Sequence, residues 1–403
     1  MKVMSIALDR NLLTGVQWGD VTWRLVEYGK LVEEYHQVIL AHGSLHLKAR
    51  KLSDNVWVYP TNGKGRYFPT RVWDAYRFAQ RICEERHIDV LQTHNPLDTG
   101  LVAYLLKRKY RIPMVLGVYG DFVGHPLWLG QSYKHRLLNP LAKWLLHQAD
   151  LVKVQTPETA ENLSRQGIPA DRIWTGPVAV NLDKFGRLHA QGVAAVRRAH
   201  APNGEKLVMF AGRLVLTKNV PLLLHAVQIA FSRYPKVKLL ICGDGDERAS
   251  LENLARALGI ADQTVFLGAM THDQLPNYYG ACDVFALPSD HEGFGLVLLE
   301  AGMAARPVVA TSTAGSRLII QDGATGFLVP PRDVNSFADK LLLLLKDEPL
   351  AQRMGSRARE FVSRTFGADF AIQDVVKMWE TAVELNRGVG THLPPLAHKE
   401  SSL

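Results

Sequence analysis

Cysteine is scarce: Cys83, Cys242 and Cys282 are the three in 403 residues. Spaced so widely, they suit neither a disulfide framework nor a zinc site, and they point to a reducing cytoplasm. Long apolar runs are also missing. The longest leucine run, at 341–345, ends in Lys346, Asp347 and Glu348, far short of the ~20 residues that span a bilayer. Residues 1–9 have too short an apolar stretch for a signal peptide and no small-residue cleavage site, so they read as a first buried strand. No internal repeat or low-complexity array appears. Nor is there an acidic excess: 47 Lys and Arg against 39 Asp and Glu leave a net charge of +8. Residues 1–180 carry +7 of it, which fits either an anionic partner for the first half (phospholipid surface, lipid-linked phosphate or nucleic acid) or a plain solubilising surface. What the chain does have is 47% hydrophobic and 21% charged residues, enough for ordinary cores and too much for wholesale disorder.

Short apolar runs alternate with helical spacing along most of the length. In the first half the runs fall at 2–8, 37–41, 55–59, 90–93, 114–118 and 151–155, with amphipathic stretches at 21–34, 72–86 and 99–109. The second half repeats the order, with strands at 207–210, 238–242, 265–267, 284–287 and 308–310 and helices at 220–233, 248–258, 273–280 and 296–305. This pattern predicts an α/β chain of two tandem doubly wound, Rossmann-like domains, each a parallel sheet covered on both faces. The periodicity breaks between Gly176 and Gly204. The chain therefore divides into 1–185, 186–370, a closing helix at 371–387 that returns to the first domain, and a loose tail at 388–403. Ligands of open parallel sheets bind beyond the strand carboxyl ends, so two such sheets facing one another predict a deep cleft.

Two strand ends in the second half carry chemistry. The run Leu207–Phe210 leads into Ala211-Gly212-Arg213 and on to Lys218-Asn219, which puts a planar cationic fork and a compact ammonium on one loop, a pair suited to a diphosphate. The second is Asp290-His291-Glu292-Gly293-Phe294-Gly295-Leu296 through Glu300. Here a glycine-bearing loop lets backbone approach a ligand, and a helix start aims free amides at an anion. Glu292 and Glu300 bracket that start. Carboxylates beside an anion site need hydroxyl donors, so the pair fits a nucleotide sugar better than a bare phosphate. The apolar neighbours of Glu300 predict a buried helix on which a charge needs a partner.

These residues, together with Gly243-Asp244-Gly245 and Phe266-Leu267-Gly268, resemble family 4 glycosyltransferases of the GT-B fold, strongly over 205–345 and chiefly in layout before that. The resemblance implies a retaining, metal-independent transferase with a nucleotide-sugar co-substrate and no other cofactor. It implies that Arg213 and Lys218, on the Gly212 loop, hold the diphosphate. Gly293, Phe294, Gly295 and Leu296 would form the phosphate-binding loop, Glu292 would bind the donor sugar and Glu300 the ribose, and Gly268 and Met270 would lie against the base. By the same token 1–185 is the acceptor side and 186–370 the donor side. Asp244-Gly245-Asp246 mimics a metal-binding Asp-x-Asp, but directly after a strand it reads as a turn. Gly243-x-Gly245 lacks the third glycine of a dinucleotide fingerprint.

In the first half, His94 follows a strand as a GT-B histidine does. Tyr119 stands where many family members have another histidine. Asp121 is either a sugar- or acceptor-contacting carboxylate that takes over that role or a turn aspartate, and Gly15 is the candidate phosphate contact of the first loop. The basic, aromatic segment 133–146 reads either as a membrane-facing helix serving a lipid-linked acceptor at the inner membrane face or as an ordinary packed helix. The expected partners are a nucleotide-sugar donor and a glycan, lipid-linked or small-molecule acceptor, without nucleic acid. The rival readings are a GT-B epimerase or phosphorylase and a non-catalytic nucleotide or RNA binder.

Overall fold

The strand–helix alternation resolves into two units: Met1–Ala179 joined by the chain from Asp369, and Val180–Ala368. The computed structural model describes residues 1–14, 20–65, 67–119, 123–124, 129–130 and 132–388.

Among the described residues, the first unit holds an eight-stranded sheet in the order β3-β4-β2-β1-β5-β6-β7-β8. Its strands are β1 (Lys2–Ala7), β2 (Glu34–Ile39), β3 (Arg50–Ser53), β4 (Val56–Pro60), β5 (Val90–Thr93), β6 (Met114–Val118), β7 (Leu151–Val154) and β8 (Ile173–Thr175). Neighbours run parallel except the antiparallel pair β3–β4. Central strands such as Met114–Val118 are buried along their whole length, as expected where helices cover both faces. Successive residues point to opposite faces, so Met4, Ile6, Leu91 and Leu116 join one core with the helices Phe68–Arg86, Asp98–Tyr110 and Tyr133–Gln148. Val3, Tyr35, Val90 and Val115 join the other, against the helix Val21–Gly29 and the last helix, Ala368–Asn386. That last helix contributes Ile372, Val375, Met378 and Trp379 to the first unit's core. It is also tied there by Trp174 Nε1 donating to Asp374 Oδ2 at 3.0 Å and Asn386 Nδ2 donating to the Arg111 carbonyl at 3.0 Å.

The second unit holds, among the described residues, a six-stranded sheet in the order β11-β10-β9-β12-β13-β14. The strands are β9 (Lys206–Ala211), β10 (Val237–Cys242), β11 (Thr264–Gly268), β12 (Val284–Leu287), β13 (Val308–Thr311) and β14 (Gly326–Val329), all parallel. The three cysteines are buried and free.

Three strands escaped the sequence reading: β3, β8 and β14. Each stands at an edge of its sheet, where the apolar run on both faces that marks a central strand is not required. The helix expected over 21–34 stops at Gly29 because Asn55 reaches across to satisfy its end. Asn55 Nδ2 donates to the carbonyls of Gly29 at 2.7 Å, Val32 at 3.0 Å and Glu33 at 3.2 Å. β2 then begins three residues before the expected strand, at Glu34. That carboxylate is balanced by Lys2 at 3.4 Å and faces His36 at 2.9 Å, so its charge does not bar a strand.

Candidate active site

In the second unit, three strand-end loops are zipped together beyond the sheet. The Gly212 amide donates to the Cys242 carbonyl at 3.0 Å, Leu214 to Asp244 at 2.9 Å, and Gly243 to Gly268 at 2.8 Å. A Cβ on Gly243 would lie 1.8 Å from the Gly212 carbonyl oxygen, so only glycine lets the loops close. Asp244, the first aspartate of the Asp-x-Asp mimic, is spent inside this turn. Asp244 Oδ1 accepts from the Gly245 amide at 2.8 Å, and its Oδ2 faces Arg248 Nη1 at 3.2 Å. Arg213 is exposed on the loop so formed.

A second set of bonds stitches this loop to the one after β12. Asn219, in the left-handed region at φ 43°, donates from Nδ2 to Asp290 Oδ1 at 2.8 Å, and the Asp290 amide donates to the Thr217 carbonyl at 3.0 Å. The stitch brings Lys218 onto Glu292: Nζ donates to Oε2, which also accepts from the Ser289 hydroxyl at 3.2 Å. Gly293 and Phe294 lead to Gly295, whose φ of 86° turns the chain into the helix Leu296–Met303. Phe294 is buried. The first amides of that helix have no intrahelical acceptor, so a helix start, a lysine and a carboxylate stand within one short stretch of surface.

Glu300 lies 2% exposed on that helix, and its buried charge has two partners. The Tyr279 hydroxyl donates to Oε2 at 2.8 Å, and His272 Nε2 faces Oε1 at 3.2 Å. Burial and the neighbouring Glu300 charge hold the Tyr279 hydroxyl well above its ordinary pKa, so it remains a donor. Tyr279→Phe leaves that carboxylate oxygen short of a partner. We expect a stability loss of about 1–3 kcal/mol, read as a shift in the urea midpoint.

In the first unit, His94 and Tyr119 stand together at the ends of β5 and β6, their rings stacked with centroids 5.3 Å apart. His94 Nε2 is 3.0 Å from the Ser5 hydroxyl, and Gln92 Nε2 donates to the Tyr119 hydroxyl at 3.3 Å. Burial, aided by the charges of Arg24 and Lys153, pushes the imidazole down to about 4, so it is neutral at pH 7. Gly15 and Asp121 lie outside the described residues.

The chain matches two family models in succession, Glycosyltransferase Family 4 over residues 28–184 and Glycosyl transferases group 1 over residues 194–361. D-inositol 3-phosphate glycosyltransferase of Corynebacterium diphtheriae is 32% identical over 294 residues, covering 69% of this chain and 67% of that protein. The chain is a GT4-type glycosyltransferase. N-acetyl-alpha-D-glucosaminyl L-malate synthase of Bacillus anthracis is 27% identical over 362 residues, 88% of this chain and 91% of that protein. Among solved structures, sucrose-phosphate synthase of Thermosynechococcus elongatus superposes with a TM-score of 0.82 at 20% identity, covering 94% of this chain and 99% of that one. Anabaena HepE in complex with UDP gives 0.77 at 18% identity, covering 94% and 100%. The fold is GT-B.

The activity of this GT4-type enzyme is glycosyl transfer from a nucleotide sugar. Its sequence named Arg213, Lys218, Glu292 and Glu300 and carried Asn219 and Asp290 in the same motifs without a role, but missed the other residues that hold them: Ser289, Tyr279, His272 and Gly315, whose amide donates to the Glu292 carbonyl at 3.0 Å. Two signals were available. Asn219 ends the cationic loop, where asparagine tolerates a left-handed turn, and Thr313-Ala314-Gly315 follows β13 just as the two motifs follow β9 and β12.

Proposed function

We propose that this glycosyltransferase moves a hexosyl group from a uridine diphosphate sugar to an acceptor hydroxyl with retention of anomeric configuration, without a metal ion or a resident cofactor. The observation that carries the reading is the stitched pair of loops that seats Lys218 on Glu292 beside the helix start at Leu296. Arg213, Lys218 and that helix start would offset the charge gathering on the departing diphosphate, the task a metal performs in other transferases. Glu292 would accept hydrogen bonds from donor-sugar hydroxyls, while Glu300, held by Tyr279 and His272, would take the ribose. Backbone at Gly268 and Met270 would lie along the base. As the anomeric C–O bond breaks, the acceptor oxygen attacks on the same face, and its proton passes to the phosphate oxygen that leaves. Support for the uridine nucleotide comes from HepE, whose solved complexes hold UDP and UDP-glucose.

The test is a donor panel assayed with and without a chelator, with proton NMR of the product. Retained configuration and chelator-insensitive turnover are expected. An inverted anomer removes the retaining mechanism. Activity lost to chelator and restored by Mg²⁺ removes metal independence. Donor breakdown that requires free phosphate assigns a phosphorylase instead.

Among the described residues, no helix is long and apolar enough to cross a membrane. The helix Tyr133–Gln148, however, exposes Tyr133, Leu137 and Trp144 beside Lys134 and Arg136. We propose that this face rests on an anionic membrane surface. Sedimentation with phosphatidylglycerol vesicles, weakened by salt and by Leu137→Glu, is the expected result; binding equal to that on neutral vesicles overturns it.

A further inference from the structure

The second unit begins at Val180 and soon forms one helical turn, Asp183–Gly186, on which no step above depends. The turn is anchored on both sides of Phe185. Lys184 Nζ lies 3.5 Å from Asp273 Oδ1, and the Gly186 carbonyl accepts from Arg359 Nη2 at 3.0 Å. Phe185 itself is fully buried. Among the described residues its ring meets two others, both edge-on: His272 with centroids 5.6 Å apart and Tyr279 at 5.5 Å. These are the two side chains that hold Glu300.

The chemistry of Glu300 gives that meeting its weight. A carboxylate offers about four lone-pair positions. The Tyr279 hydroxyl takes one on Oε2, and His272 Nε2 faces one on Oε1. Each oxygen therefore keeps an acceptor position, the set that two vicinal hydroxyls require. The way in is narrow, because the Glu300 side chain is 3% exposed and that of His272 15%. Through so small an opening, a carboxylate turned out of line presents no acceptor to a ligand. Orientation decides whether the site works.

That orientation rests on two rings. Tyr279 belongs to the helix Leu275–Ala281, and Phe285 of β12 also packs on it at 5.3 Å. His272 lies in the loop between β11 and that helix, so its ring is steered by what packs against it, and Phe185 stands at 90° to it. Any apolar side chain would serve burial. An edge-to-face ring adds a fixed angle, and a phenyl group has no donor or acceptor to compete for either carboxylate oxygen.

We infer that Phe185 is a positioning residue for donor recognition. Through His272 and Tyr279 it keeps the Glu300 carboxylate turned to meet both hydroxyls of a ribose, and so sets the enzyme's preference for a ribonucleotide over its 2′-deoxy analogue. The inference deepens the donor reading proposed above and rests on it for the ribose.

Isothermal titration of the full chain with UDP and with 2′-deoxy-UDP tests it. The wild type binds UDP about tenfold or more tighter, because the deoxy analogue leaves a buried carboxylate short of a donor. Phe185→Leu keeps an apolar side chain in place and removes the ring. The ratio then falls to about threefold or less, since UDP loses its hydroxyl bond while 2′-deoxy-UDP had none to lose. A merely structural role would weaken both nucleotides alike and leave the ratio intact. Phe185→Met, which fills more of the same volume, takes the place of the leucine variant if that chain does not fold. His272→Ala removes one of the two relays and lowers the ratio likewise. A wild-type ratio in the Phe185 variant or in His272→Ala overturns the inference and leaves the donor reading standing. Equal binding of the two nucleotides by the wild type takes Glu300 off the ribose and overturns the inference with it. UDP that fails to bind the wild type removes the donor reading itself, and this inference falls too.

Discussion

Lys218→Ala lowers kcat/KM for the nucleotide-sugar donor by about 10²–10³-fold, the cost of removing one charge-stabilising donor from a site where negative charge develops. Steady-state rates with purified protein measure it. The effect has two sources, because Lys218 is also the cation that balances Glu292. The two side chains are 18% and 13% exposed, so either one alone is a partly buried charge with poor compensation. The double variant Lys218→Met with Glu292→Gln separates the two. Glu292→Gln alone is the reference, since it already weakens the sugar contact assigned to that carboxylate. If lysine serves only to neutralise the glutamate, the double variant is no slower than Glu292→Gln. If it acts on the diphosphate, the double variant is slower still by about tenfold or more, and equal rates for the two would sink the assigned role.

Trp379→Ala destabilises the first unit by about 3–5 kcal/mol, the usual toll for deleting a large buried aromatic. Trp379 is fully buried. Its ring meets Tyr28 edge-on at 5.2 Å and Tyr35 at 5.8 Å, and its Nε1 donates to Gln92 Oε1. A chain of two units does not unfold as one cooperative step, so the measurement needs a local probe, and the sequence supplies it. All eight tryptophans lie before residue 180 or at 379, inside the first unit. Tryptophan fluorescence in urea therefore follows that unit alone, and an unmoved midpoint contradicts the packing role.

The two charged motifs of the second unit were legible in the sequence because their chemistry is local. Arg213 and Lys218 share one loop, Glu292 and Glu300 bracket one helix start, and the glycines between them announce close backbone approach. The scaffold behind them was not legible. Asn219 and Asp290 are 71 residues apart and meet only because β9 and β12 are neighbours in the sheet. Tyr279 reaches Glu300 from the preceding helix. Lys153 escaped notice for a related reason: in a run reading Leu-Val-Lys-Val, one cation in an apolar strand looks like an edge residue until the strand proves to be buried. The first half offered less because its polar residues are dispersed over strand ends that only the sheet order gathers.

The last helix has a consequence for synthesis. The second unit is one continuous stretch, Val180–Ala368, whereas the first needs both ends of the chain. As translation proceeds from the amino end, residues 1–179 emerge before the helix that supplies Ile372, Val375 and Trp379 to their core. The later-made unit can thus reach its native state while the earlier-made one still waits, its apolar sheet face uncovered, for the helix Ala368–Asn386 to emerge.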